Sequence, residues 1–404
     1  MAVALLLAAL AAPVAAAQPI APDAALARDA ADIARVEGRD PVESLAELRR
    51  QAASVALTLW LEGRYRDRLA GLALDPGGDI DVLLTGRRPV ADVAVRVGES
   101  VVVGRFRTGA RATHAELLTA LRQHQAAIRA MLARPPAMGI DPRRGELVVM
   151  IGLADAAGDR AALRQRLERL TGVPVRLAAA DRPDSELQAP DVSPVPPVAP
   201  GEVVGGSRVI GPDPVSGVRF ICTTGFVVTD GVRRGIVTAA HCPDQLDHIG
   251  TDGRATPLAF LGQWGWGYQD VQLGETPAAI RPLFYADAAR SEVRTVTAQR
   301  SRAATRVGDI VCHRGERSGY SCARVLMVDF APSGDLCGGA CLPQWVAVAG
   351  PGCKGGDSGG PVFIGSTAIG LLKGSSYRGD RSCGFYYYMS LDYLPGGWRL
   401  VTAP

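Results

Sequence analysis

Gly355-Gly356-Asp357-Ser358-Gly359-Gly360-Pro361 sets one serine among glycines. Glycine permits a tight turn and lets another chain's carbonyl approach the backbone closely. In such a turn the amides of Gly356 and Ser358 can point the same way and donate to one oxyanion. Attack by a serine also needs a base to take the hydroxyl proton and a group to orient that base. Thr238-Ala239-Ala240-His241-Cys242 ends an apolar run on a histidine. The chain has 5 histidines; His114 and His124 fall in the first half, and His248 and His313 lack comparable context. Asp270 follows Trp264-Gly265-Trp266-Gly267-Tyr268-Gln269 and opens the alternating run Val271-Gln272-Leu273. A strand start of that kind can bury a carboxylate against an imidazole. Asp244, Asp247 and Asp252 are rivals, but they sit close to His241 in polar loop sequence. The candidate set is His241, Asp270 and Ser358, with the Gly356 and Ser358 amides as oxyanion donors.

Around these motifs, from about Val203 onward, helical periodicity is absent. Short β-rich runs lie between Gly, Pro, Asp and Ser clusters: 226–229, 236–238, 271–273, 324–328, 345–348, 362–364, 368–372 and 385–389. Many short, closely spaced strands predict a barrel or sandwich. Upstream, residues 181–202 carry Pro183, Pro190, Pro194, Pro196, Pro197 and Pro200, and read as an extended, exposed linker that a protease could cut. The stretch 18–180 reads as a small α/β unit. Asp40-Pro41-Val42-Glu43 starts a helix to about Arg64, and Thr113–Glu116 is a capping box before a helix to Leu132. Strands are expected at 79–85 and 93–97. A β-α-β unit is expected over 146–153, 159–170 and 173–177. Residues 1–17 read as a signal peptide, apolar from Ala2 to Val14 with Ala15-Ala16-Ala17 before Gln18, although no Lys or Arg stands near Met1.

At 404 residues, 47% hydrophobic and 21% charged, the chain is globular rather than disordered. A net charge of +3 gives no reason to expect a nucleic-acid or membrane partner, and nothing after the leader is apolar enough to anchor it. All 8 cysteines lie between Cys222 and Cys383. An even count in an exported chain points to disulfides. Cys337-Gly338-Gly339-Ala340-Cys341 has zinc-like spacing, but no further Cys or His pair completes a ligand set, so no metal is expected. No cofactor is called for either.

The order His…Asp…Ser, with Thr238–Cys242 and Gly356–Val362, resembles the chymotrypsin-like serine peptidases over about 203–404. Within them it is most similar to the bacterial secreted branch, the streptogrisin and α-lytic protease type. The resemblance implies an all-β two-barrel catalytic domain behind a small α/β pro-domain. It also implies a serine endopeptidase made as a precursor, secreted to an extracellular or periplasmic space and a monomer after processing. Its partners would be polypeptide substrates and its own pro-region, which assists folding and then inhibits. It implies disulfides Cys222–Cys242, Cys312–Cys322 and Cys353–Cys383, leaving Cys337 with Cys341. Loops of this size contribute roughly 2–3 kcal/mol each.

Family members carry a serine where this chain has Lys373. That lysine either pairs with Asp270 and competes with His241 or points along the substrate cleft. A disabled, protease-like binding protein therefore stays open, as does an enzyme that cuts only its own precursor. Asp357 is expected to be buried and paired with Arg314 or His313, rather than with an N-terminus freed at Val203-Val204-Gly205-Gly206. The specificity pocket is expected at Gly352, Lys373, Gly374 and Ser375. Gly352 and Pro351 carry no charge, so a hydrophobic residue on the acyl side is expected. Lys373, Arg378 and Arg381 leave an acidic residue open, and Phe385, Tyr386 and Tyr387 leave a small one open.

Overall fold

The computed structural model describes residues 18–187, 189–199 and 201–403; the expected leader at 1–17 lies outside the described residues. Asp40 caps the helix Pro41–Arg64 by accepting from the Val42 and Glu43 amides, with Pro41 at the first position where a missing N–H costs nothing. Thr113 and Glu116 close a full capping box on the helix His114–Ala130. A further helix, Pro22–Glu37, was not expected. Its signals were nevertheless in the sequence, Pro22 at the start and Gly38 in the left-handed conformation at the end.

These helices pack with two small sheets. One has the order Leu69–Leu74, Ile80–Thr85, Ser100–Ala110, Val93–Val97. The other joins Ala137–Asp141 to Glu146–Gly152, which runs parallel to Val175–Ala180 with the helix Arg160–Thr171 between them. Among the described residues, no helix is long and apolar enough to cross a membrane.

The C-terminal half is two antiparallel barrels. In the second, Thr367–Tyr377, Pro361–Ile364, Ile310–Gly315, Gly319–Phe330, Trp345–Ala349 and Cys383–Ser390 pair in turn, and the last pairs back with the first. The ring closes, with the Gly374–Ser375 end of Thr367–Tyr377 extending past Pro361–Ile364 as a short edge, and its interior holds fully buried Trp345, Phe330, Phe363 and Tyr387. The first barrel runs Val227–Thr229, Arg234–Thr238, Val271–Glu275, Ala255–Trp264, Leu246–Ile249, Arg208–Pro212, Arg219–Thr223. Residues 224–226 carry its last strand back into its first. Phe226 from the first barrel and Phe363 from the second both pack on Phe284, with centroids 5.4 and 4.8 Å apart. This is a two-barrel, chymotrypsin-like fold preceded by an α/β unit.

The α/β unit is bonded by buried polar contacts to the second barrel and to the strand Val293–Thr295, which pairs with Ile280–Tyr285. The Gln51 side-chain amide donates to Ile310 O at 2.9 Å and accepts from Ile310 N at 2.7 Å. Asp29 and Arg294 form a fully buried ion pair at 2.7 Å, with the Tyr320 hydroxyl also donating to Asp29 at 2.6 Å. Met138 and Ala331 exchange backbone hydrogen bonds of 2.9 and 2.7 Å. Gly139 permits this approach, because a Cβ there would lie 2.5 Å from Met327 Sδ.

The proline-rich stretch differs from expectation. It is extended, but Asp184, Leu187 and Asp191 are buried. Ala189–Pro190 pairs with the first-barrel strand Arg219–Thr223, and Ala199 and Ala255 are joined by a backbone hydrogen bond of 2.9 Å. Prolines favour extended chain, and extended chain can add to a sheet edge as readily as it can face solvent.

Candidate active site

His241 follows the first-barrel strand Arg234–Thr238, Asp270 precedes Val271–Glu275, and Ser358 sits in the turn before the second-barrel strand Pro361–Ile364. The structure brings the three together. His241 Nδ1 lies 2.8 Å from Asp270 Oδ2, and His241 Nε2 lies 2.6 Å from Ser358 Oγ. The His241 amide donates to Asp270 Oδ1 at 3.2 Å. Burial alone would raise Asp270, but the nearby His241 and Lys373 and the His241 hydrogen bonds outweigh it and bring it to about 2. An ionised Asp270 can only accept, so the proton of a neutral ring rests on Nδ1. Nε2 is then a lone pair facing the hydroxyl.

The glycines around Ser358 are needed for their conformation. Gly356 has φ 105°, and a Cβ there would meet Arg317 Cγ at 2.4 Å. Gly359 has φ 81°, with Thr238 Oγ1 only 2.1 Å from where a Cβ would be. In this turn the amides of Gly356 and Ser358 converge as donors on one acceptor, the carbonyl oxygen of Leu187.

Leu187 reaches that point because the preceding chain adds to the second barrel. Ser185–Glu186 pairs antiparallel with Thr367–Tyr377, in the register Glu186↔Gly374 and Ser185↔Ser375. The Leu187 amide donates to Lys373 O at 3.1 Å. Gly374 lets the strands meet, since a Cβ there would be 2.5 Å from Ser185 O. Beyond the cleft, Ala189–Pro190 pairs with Phe220 and Ile221 of the first barrel, and the Asp191 amide donates to Arg219 O at 2.7 Å. Residues 185–187 therefore bond to the second barrel and residues 189–191 to the first, on either side of Ser358. The Leu187 side chain is fully buried, in the same apolar cluster as Cys353, Cys383 and Tyr386.

The other expected site residues fall as follows. Lys373 Nζ is 3.4 Å from Asp270 Oδ2 and also 3.2 Å from Glu186 Oε1, so it both faces the carboxylate and points into the cleft. Gly352 lies against the second-barrel strands Ile310–Gly315 and Gly319–Phe330: a Cβ there would be 2.9 Å from Ser321 Oγ and 3.5 Å from His313 Cε1. The His313 ring packs edge-on against Tyr386 at 4.6 Å, and burial pushes it down to about 4, which keeps it neutral. Neither Ser321 nor His313 was expected here, since nothing local in the sequence marks them.

Asp357 is fully buried, but its expected partners are not those observed. Its carboxylate accepts from the backbone amides of Arg317 and Ser318 at 2.9 Å each and Lys354 at 2.7 Å. Arg314 instead pairs with Glu316 at 2.8 Å. The Val203 and Val204 amides are taken up by Ala279 O and His248 Nε2, in a strand paired with Ile280–Tyr285. Three amide donors satisfy a buried carboxylate without a cation. The disulfides are Cys222–Cys242, Cys312–Cys322, Cys337–Cys341 and Cys353–Cys383.

No family model and no curated protein matches the chain. Solved structures resemble about half of it. Thermobifida fusca Protease A is 23% identical, with a TM-score of 0.40, over 50% of this chain and 100% of that one. Nocardiopsis Protease (NAPase) is 22% identical, with a TM-score of 0.40, over the same shares. A glutamic acid specific serine protease, described as using a histidine triad in substrate binding, is 22% identical with a TM-score of 0.38 over 47% and 94%. Likenesses at this level do not bear on activity.

Proposed function

We propose that the chain is a serine endopeptidase that first cuts itself between Leu187 and Gln188 and then cleaves other polypeptides after hydrophobic residues. One observation carries this: residues on both sides of Leu187 lie as an extended strand through the cleft, with the Leu187 carbonyl oxygen on the Gly356 and Ser358 amides beside the Ser358–His241–Asp270 chain of hydrogen bonds.

His241 Nε2 takes the Ser358 proton as Oγ attacks the Leu187 carbonyl carbon. The negative charge that develops on the Leu187 oxygen is met by donors already in place, which need no reorganisation. Asp270 holds the ring and balances the imidazolium. His241 then returns the proton to the Gln188 nitrogen as the peptide bond breaks. Water, deprotonated by the same base, releases Leu187 from Ser358.

Until the upstream segment leaves, it blocks the cleft, which makes residues 18–187 an inhibitor as well as a brace for the second barrel. The Gln51–Ile310 and Asp29–Arg294 contacts support the bracing role, and four disulfides suit an exported protein in an oxidising space. Production of the full chain followed by N-terminal sequencing tests the reading: the mature protein should begin at Gln188, label with a fluorophosphonate and digest an unrelated protein. A mature N-terminus elsewhere, or no labelling, overturns it.

Release of the segment should depend on pH. Asp184 is raised from 3.8 to about 6 by burial, against hydrogen bonds from Ser333 and Ser376. A carboxyl raised on docking favours the docked state below about pH 4 and loses that advantage as pH rises through 6. The difference corresponds to about a hundredfold in affinity. A fragment of residues 18–187 should bind the processed protein about a hundredfold more weakly at pH 8 than at pH 4, and Asp184→Asn should remove most of that dependence. Equal pH dependence in both fragments excludes Asp184 as the cause.

A further inference from the structure

The mechanism above gives the charge of Lys373 no role. Its side chain is 1% exposed and its ammonium has three neighbours: Glu186 Oε1 at 3.2 Å, Asp270 Oδ2 at 3.4 Å and the Trp345 ring centroid at 5.3 Å. Glu186 is the residue just before the one whose carbonyl is attacked. Its Oε1 also lies 3.8 Å from His241 Nδ1. Two carboxylates, Glu186 and Asp270, thus surround the lysine ammonium and the ring that takes the Ser358 proton.

We infer that Lys373 makes this peptidase select an acidic residue immediately before the hydrophobic residue at the cut, so that its substrates are polypeptides carrying Glu or Asp followed by a residue such as Leu. The inference rests on the peptidase reading above and names the substrate class for it.

The physical case is a charge balance. With Glu186 in place, Lys373 shares its charge between a residue of the substrate strand and the triad carboxylate. With an uncharged residue there, the ammonium has Asp270 as its sole anionic partner among those named. When His241 then takes the Ser358 proton, two cations depend on one buried carboxylate. That cost begins when the strand docks, where the loss of Glu186 leaves a buried ammonium short of a partner, and it grows as the imidazolium forms. The backbone also fixes the reading frame. Leu187 N is bonded to Lys373 O and Glu186 pairs with Gly374, so the strand register that presents Leu187 to Ser358 presents Glu186 to Lys373. A charge pair buried at a binding surface discriminates well against a neutral isostere, whose presence leaves the other charge unpaired.

Two measurements test it. In the full chain carrying Ser358→Ala, which needs no catalysis, Glu186→Gln should speed hydrogen exchange of the Leu187 amide tenfold or more. Glu186→Lys should speed it further, and Glu186→Gln should add little once Lys373→Met is present. Unchanged exchange on Glu186→Gln overturns the inference. On the processed enzyme, peptides with Ser-Glu-Leu before the cut should be cleaved at least tenfold faster in kcat/KM than those with Ser-Gln-Leu. The difference should appear in KM as well as in kcat, and Lys373→Met should abolish the preference. Equal cleavage of the two peptides by the native enzyme overturns the inference without any variant having to fold. Cleavage of neither peptide instead overturns the peptidase reading, and amide exchange in the Ser358→Ala chain then decides the acidic subsite alone.

Discussion

Ser358→Ala is expected to leave the chain joined at Leu187–Gln188, with a rate of cutting lower by about a millionfold. The substitution removes the Oγ that lies 2.6 Å from His241 Nε2, and with it the atom that would form the acyl bond. It leaves the Gly356 and Ser358 amides, the Leu187 strand and the Asp270–His241 pair intact. What survives is the polarisation of the carbonyl, worth about 10³–10⁴ over water in triad enzymes. Because the bond is already docked, the loss is in chemistry and not in binding. Intact mass over time on the purified full chain, beside the native protein, measures it. Appearance of the Gln188 N-terminus in the variant at the native rate would falsify the mechanism.

Ser358 and His241 stand out in the sequence because each sits in a short string whose glycines, alanines or strand flanks are local. Asp270 is marked less sharply, by its place at a strand start, and its Oδ2 lies 2.8 Å from His241 Nδ1. What could not be read is what other parts of the chain bring to the site. The stretch 181–202 was extended in the sequence and is extended in the fold, but period and composition do not distinguish solvent from a sheet edge. Nothing local said that Leu187 would lie at the Gly356 and Ser358 amides.

Asp357 gives the same lesson in electrostatics. A buried carboxylate suggested a cation, but the 315–318 turn wraps it in amides, with Gly315 so close that a Cβ would lie 2.2 Å from Asp357 Cγ. Lys373 left two roles open, pairing with Asp270 or pointing into the cleft, and its geometry satisfies both at once. The helix Pro22–Glu37 was missed for a plainer reason: its Pro and Gly boundaries are weak signals beside the apolar run Ala2–Val14.

Leu187→Asp is expected to slow cutting at that bond by about a thousandfold, whereas Leu187→Met should leave it near the native rate. The Leu187 side chain is fully buried, and its burial is worth about 2 kcal/mol. An aspartate in its place must either bring a charge into that apolar cluster or take up a proton, which at neutral pH costs about 4 kcal/mol for an ordinary carboxyl. Neither His313 nor Lys373 offsets it. His313, at the Gly352 wall, is held neutral by burial, and Lys373 is engaged by Glu186 and Asp270. Part of the roughly 6 kcal/mol total is absorbed by the advantage of a tethered strand, which leaves about the thousandfold stated. Leu187→Arg should be slow as well, because Gly352 and Pro351 offer no carboxylate to pair with a guanidinium. Methionine keeps the volume and apolarity of leucine, a swap that cores tolerate at small cost. The half-life of the full chain, followed by mass, ranks the four proteins. Native-rate cutting of the aspartate or arginine variant at the same bond would mean that the pocket is polar and that the hydrophobic preference assigned to this enzyme is wrong.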